Sequence, residues 1–173
     1  MKKINTIAQQ GFTLIELLVV IGVLAVLLAI TLIAINPARQ FAQANNTKRS
    51  SDVNAVLNAV HQYGADNKGD LSALGITSIL ATAPNPISNH VSTGGGDVAG
   101  VGNAFCTKLV TQYIAALPSD PLTTNGTPVL DTDCVGADTW NTGYQIYRTQ
   151  SNNRITVVAP LTELGVPTIE VTR

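Results

Sequence analysis

The chain has 173 residues, 45% of them hydrophobic and only 12% charged, where globular proteins carry about 25% charged residues. It is too apolar for a disordered protein and long enough for one domain with an appendage. A formal charge of −1 and two cysteines argue against a dedicated nucleic-acid binder, a disulfide scaffold and a self-sufficient structural zinc site.

The chain opens with MKKINTIAQQG, polar and short, carrying Lys2 and Lys3 and no acid. From Phe12 to Ala38 there follow 27 positions with one charge, Glu16. A helix over Phe12–Ile35 would be roughly 36 Å long, enough to cross a hydrocarbon core of about 30 Å. The lysines place the start in the cytoplasm and everything after Arg39 across the membrane. No A-x-A site follows a short apolar core, as a secretory signal would require. The small residue Gly11 instead precedes the apolar run, so cutting there would leave the run on the mature chain. A plain uncleaved anchor is the simplest alternative, but an ionisable residue inside a membrane segment marks a functional pairing by default.

Val53, Val56, Leu57 and Val60 recur at helical spacing and predict an amphipathic helix continuing to Tyr63, with Gly64 as its stop. Joined to the first segment, it gives one helix of roughly 78 Å over Phe12–Tyr63, kinked or locally melted at Asn36-Pro37. Residues 64–103, rich in Gly, Pro, Asn, Ser and Thr, read as an irregular loop around short helical pieces. A second helix is predicted from Asn103 to Leu117, with Cys106, Leu109, Val110, Tyr113 and Leu117 on one face and Pro118 ending it. Three strands follow, Gly143–Thr149, Arg154–Ala159 and Thr168–Thr172, the first two joined through Gln150-Ser151-Asn152-Asn153 as a hairpin.

GFTLIELLVVIGVLAVLLAI resembles the prepilin-type cleavage and methylation motif of type IV pilins and type II secretion pseudopilins. The match covers about residues 1–35: Gly, Phe, Thr and Leu, a carboxylate five residues after the Gly, and an unbroken apolar tract. Two looser likenesses lie further on. NTKRSSDVNAVLNAVHQYGADNKGDL, residues 46–71, is similar to a polar turn leading into a helix that ends in Tyr and Asp-Asn-Gly, although Lys68 interrupts the last element. YIAALPSDP, residues 113–121, is similar to a Tyr-Leu-x-x-Leu-Pro-x-Asp-Pro segment of pseudopilins and related bacterial pilins.

The resemblance implies an α+β pilin-like fold, a long N-terminal helix packed on a small antiparallel sheet. It implies a leader, 1–11, removed between Gly11 and Phe12 by a membrane aspartic prepilin peptidase that also N-methylates Phe12. A transmembrane and polymerisation half, 12–38, and an exported head, 39–173, complete the division. The expected product is a non-enzymatic filament subunit, lifted from the inner membrane by an assembly ATPase and a platform protein into a helical homopolymer at the surface or in the periplasm. A pseudopilin of a secretion or DNA-uptake machine is the alternative, and a membrane-anchored binding module or enzyme that borrows the leader is a third class.

Glu16 carries the most information. A carboxylate in hydrocarbon needs a cation or a proton, and cleavage would create the α-amino group of Phe12. An intramolecular pair at i+4 is the local alternative to the pairing the family suggests, between the carboxylate of one subunit and the amine of its neighbour. Gly11 suits a protease that threads extended backbone. Lys48, Arg49 and Arg39 form a basic group near the membrane exit, read as touching anionic lipid heads in preference to nucleic acid. Cys106 and Cys134 close a loop of 29 residues in an oxidising setting, which favours a disulfide over two buried thiols. Asp131, Asp133 and Asp138 suit calcium, though Val135 and Thr142 break an EF-hand pattern and a solvated acidic turn is the competing reading. No other cofactor is indicated: His61 and His90 lack ligand neighbours, and Gly94, Gly95 and Gly96 lack the Lys-Ser or Lys-Thr of a phosphate loop.

Overall fold

The computed structural model describes residues 11–76, 84–88, 101–123, 126–135, 140–149 and 152–173. Lys2, Lys3, His90, the glycines 94–96 and Asp138 lie outside these. The chain divides into two units, Met1–Gln40 and Phe41–Arg173.

In the first unit, α1 spans Leu14–Ile35. Its mean hydropathy of 3.2 over a membrane-length window comes from an almost uninterrupted run of Leu, Ile, Val and Ala, and none of its residues is buried. A helix apolar all round has no inward face to bury in its own chain. Asn36 ends it with φ 44° and ψ 80°, the left-handed conformation that Asn tolerates better than most residues.

The next helix, α2, runs Pro37–Asp66. The amides of Arg39 and Gln40 donate to the Asn36 carbonyl, and the Arg39 amide also meets the Asn36 side chain at 3.3 Å. Pro37 is therefore the first residue of a new helix, where its missing N–H costs nothing. The two helices are thus separate elements that meet at Asn36, within the joint where a kink or local melting is expected. At its far end α2 continues past Gly64 to Asp66, so Gly64 does not stop it as expected. The chain instead turns after Asp66, with Lys68 and Gly69 both at positive φ, and Gly64 is the close-packing point for the returning chain. A Cβ there would stand 3.2 Å from Leu71 Cδ2.

After a single 3₁₀ turn, Ser72–Leu74, strand β1 occupies Asn85–Ser88. This strand was not expected, because Pro86 argues against a strand interior. It is tolerated at the edge of the sheet, beside a register shift between Pro86 and Ser88. Helix α3, Gly102–Leu109, is about half the length predicted. It ends where β-branched Val110 becomes extended and Thr111 takes φ 72°, and Leu117 then exchanges two backbone hydrogen bonds with Val129. Cys106, Leu109, Val110 and Leu117 are buried as the helical pattern suggested, but helix and extended chain share the task. A short helix α4 covers Asp131–Val135.

Strands β2 (Asn141–Arg148), β3 (Ile155–Ala159) and β4 (Ile169–Thr172) lie within two residues of their predicted bounds. The four strands form an antiparallel meander, β1-β2-β3-β4. Thr142, Tyr144 and Ile146 alternate inward along β2, and all five residues of β3 are buried. The core joins this sheet to α2 and α3: Val53, Val56, Leu57 and Val60 pack in one cluster with Phe105, Leu109, Tyr144, Ile146 and Val157. The architecture is α+β and pilin-like, a long N-terminal apolar helix followed by a helix-backed, four-stranded antiparallel sheet.

Candidate processing and assembly site

Gly11, Phe12 and Thr13 precede α1 in non-helical, exposed backbone. An added Cβ at Gly11 would meet nothing within 4 Å. The Gly11–Phe12 peptide bond is thus free of helical hydrogen bonding and open on the glycine side, as an extended protease substrate must be. Phe12 is 88% exposed.

Thr13 begins the helix as a reciprocal cap. Its Oγ1 accepts from the Glu16 amide at 3.3 Å, while its amide and hydroxyl both donate to Glu16 Oε2, at 2.8 and 2.7 Å. This is the capping box, Thr at the N-cap and Glu three residues on. The spacing is legible in FTLIE, yet the chemistry of the apolar run draws attention to Phe12 instead. In the uncleaved chain the Phe12 nitrogen is an amide and offers no charge. Glu16 lines one shallow surface with Phe12, Ile15, Val19 and Val20, so the carboxylate has otherwise apolar neighbours there.

The head places the other expected residues. The basic group does not face lipid as a unit, because Arg49 is 0% exposed. Its Nε and Nη2 donate to the two Asp120 carboxylate oxygens at 2.6 and 3.1 Å. Its Nη1 donates to Glu163 Oε2 at 2.8 Å and to Asn46 Oδ1 at 2.9 Å. A planar guanidinium satisfies this fork in a way Lys could not. The Asp120 hydrogen bond raises the Arg49 pKa above its ordinary value, and the Arg49 and Asn45 hydrogen bonds lower that of Glu163. Lys48 is also engaged, with Asp52 at 2.8 Å and the Ser119 carbonyl at 2.9 Å; Arg39 is exposed.

These contacts explain the two looser sequence likenesses together. Arg49 binds Asp120 and Lys48 binds Ser119 at one end, while Tyr113 Oη donates to Asp66 Oδ2 at 3.0 Å at the other. Tyr63 and Tyr113 meet edge to face, ring centroids 5.7 Å apart. Segment 113–121 is therefore strapped along α2 at both ends. Neither motif alone discloses that its polar residues are partners.

Cys106 and Cys134 form a disulfide, Cα–Cα 5.3 Å, joining α3 to α4. In the acidic segment, Asp133 Oδ2 accepts from the Leu130 amide at 2.8 Å, so that carboxylate caps α4 from its third position, as Glu16 does for α1. No cluster of three or more metal-ligating side chains occurs among the described residues, and Asp138 lies outside them. His61 is exposed on α2.

With this geometry in hand, comparison with protein families gives one match: residues 7–32 fit the prokaryotic N-terminal methylation motif. The segment includes Gly11, Phe12 and Glu16, and it is the type IV pilin and pseudopilin signature, which this chain carries. Comparison with curated proteins and with solved structures gives no match.

Proposed function

We propose that this chain is the structural subunit of a type IV pilus-like filament, made as a membrane-anchored precursor and assembled through α1. The observation that carries the reading is the conjunction at the start of α1: an open Gly11–Phe12 bond, a methylation motif over residues 7–32, and a single carboxylate in an apolar, wholly exposed helix. The leader 1–11 is cut by a prepilin peptidase, which then methylates the new Phe12 amine. Cleavage turns an uncharged amide into a cation four residues from Glu16. The carboxylate then exchanges its cap bonds to Thr13 for a charged partner, the amine of the subunit beside it, and this sets register more than net stability.

An α-helix satisfies its own backbone bonds, so α1 moves from lipid to filament core without exposing polar groups. The Asn36 break and Pro37 supply a local hinge for that transfer. An ATPase-driven platform protein in the inner membrane performs the lift, and no catalytic role falls to this chain. A calcium ion would be held by Asp131 and Asp133, on α4, together with Asp138. A pseudopilin of a secretion or DNA-uptake machine is the second reading, favoured by the resemblance of segment 113–121. Negative-stain microscopy of cells making the chain with a prepilin peptidase and assembly ATPase tests the proposal. Long filaments support a pilus, short or overexpression-dependent ones a pseudopilus, and a processed but monomeric chain contradicts both.

A further inference from the structure

The head holds a guanidinium that is left short of an acceptor. Among the described residues three buried polar side-chain atoms lack a hydrogen-bond partner, Ser88 Oγ, Ser119 Oγ and Arg148 Nε, and of these Arg148 Nε alone belongs to a charged group. A charged donor withdrawn from water needs an acceptor more than a hydroxyl does. Arg49 shows the ordinary arrangement, since its Nε, Nη1 and Nη2 each meet a carboxylate oxygen. Arg148 ends β2 opposite Ile155. The ion pairs of the described residues, Lys48–Asp52, Arg49–Asp120 and Arg49–Glu163, do not include it.

Arg148 lines open space instead. With Leu71, Ser72, Gly75, Ile76 and Ile155 it surrounds a cavity of about 300 Å³. A second cavity of about 430 Å³ shares Leu71 and Ile155 as walls and adds Val60, Ala65 and Lys68 at the end of α2. Together they reach the size of small-ligand sites. Lys68 already complements the C-terminal end of α2, and the carboxylate of Asp70, next to Leu71 in the chain, accepts from the Ser72 amide at 2.9 Å. The turn that carries Ser72 is fixed from its other side: Gly75 has φ 69°, and a Cβ there would stand 2.6 Å from the Val101 carbonyl oxygen.

We infer that these adjoining cavities bind a small organic carboxylate, its acid group on the Arg148 guanidinium and its apolar body against Leu71 and Ile155. A carboxylate presents two acceptor oxygens at the spacing of a guanidinium edge, so Nε and a neighbouring Nη are satisfied together. One uncommitted guanidinium matches a single negative charge, which favours a carboxylate over a phosphate monoester carrying about two. Apolar walls call for a short alkyl or aryl body and disfavour a bare inorganic anion. Every residue of the site belongs to Phe41–Arg173, so the site is complete within the head and does not rest on the filament reading.

The test uses the isotope-labelled full chain in zwitterionic detergent micelles, with para-trifluoromethylbenzoate as the probe and para-trifluoromethylbenzamide as its neutral counterpart. The expected result is saturable binding of the benzoate, read from its fluorine resonance, with a downfield shift of the Arg148 Nε–H resonance. Arg154, exposed and outside both cavities, should not shift. Removing the charge from either side should weaken binding about tenfold, whether by using the benzamide or by Arg148→Gln, whereas Arg154→Gln should bind as the parent does. Arg148→Gln should also keep the parent's unfolding midpoint, because Arg148 has no acceptor to lose; a markedly lower midpoint makes Arg148 a structural residue and counts against the site. An unmoved Arg148 Nε–H at saturating benzoate, or benzamide binding as tight as that of benzoate, overturns the proposal without recourse to any variant. Inorganic phosphate that displaces the benzoate at equal concentration overturns the assignment to an organic carboxylate.

Discussion

In Met1–Gln40 every described residue is exposed, and the one carboxylate, Glu16, is satisfied only by the first turn of its own helix. In Phe41–Arg173 an arginine, Arg49, is completely buried and has three polar partners. The first unit leaves its apolar surface for something outside the chain, bilayer or neighbouring copies. The second closes on itself around a core, an ion-pair network and a disulfide. Damage to the first should therefore appear in assembly with stability intact, and damage to the second in stability, with assembly failing only as a consequence.

The largest effect expected is Glu16→Ala: filaments are lost while cleavage and membrane insertion continue, as read by microscopy and by precursor size on a gel. Normal filaments from this variant would break the distinction between the units. Asp120→Ala comes next, because it leaves Arg49 Nε and Nη2 without their acceptors in the interior, with only Nη1 still held by Glu163 and Asn46; a loss of about 3–5 kcal/mol is expected for a broken buried pair, measured by chemical unfolding of the full chain in detergent. Cys134→Ala follows, at about 3–4 kcal/mol for a loop of this length, and reductant should lower the stability of the parent but not of the variant.

Glu163→Gln is milder and is best read against pH. Arg49 and Asn45 hold the folded-state pKa of Glu163 below its ordinary value of 4.5. Its contribution is therefore complete above that ordinary value and is lost as pH falls through the lower folded one. The parent should lose head stability below about pH 4.5 more steeply than Glu163→Gln, and equal slopes would remove the carboxylate from the network. The smallest effect is Gly64→Ala. The better helix propensity of Ala, worth about 1 kcal/mol, opposes the shift of Leu71 by a few tenths of an ångström, so the unfolding midpoint should barely move.

Legibility in the sequence followed the same division. In the first unit, composition and spacing along one stretch carry the information, so the apolar helix and the break next to Pro37 can be read directly. The strands β2, β3 and β4 are equally readable, because β-branched runs flank turn residues. The missed features depend on distant partners. Arg49 reads as part of a lipid-facing basic group because its partners Asp120 and Glu163 are 71 and 114 residues away. Pro86 hid an edge strand, and the helical spacing of residues 103–117 hid a non-helical second half whose distant partners include Val129 and Asp66. Thr13 was the exception: its capping box is local and visible, and it was obscured by the stronger expectation placed on Phe12.

The central claim is that the chain is cut between Gly11 and Phe12 and works through the end so created. Mass analysis of the N-terminal peptide from assembled protein tests it most directly. The account predicts a chain beginning at Phe12 and heavier by one methyl group on its α-nitrogen. An intact Met1 terminus, or a cut beyond α1 that removes the apolar helix, would contradict it.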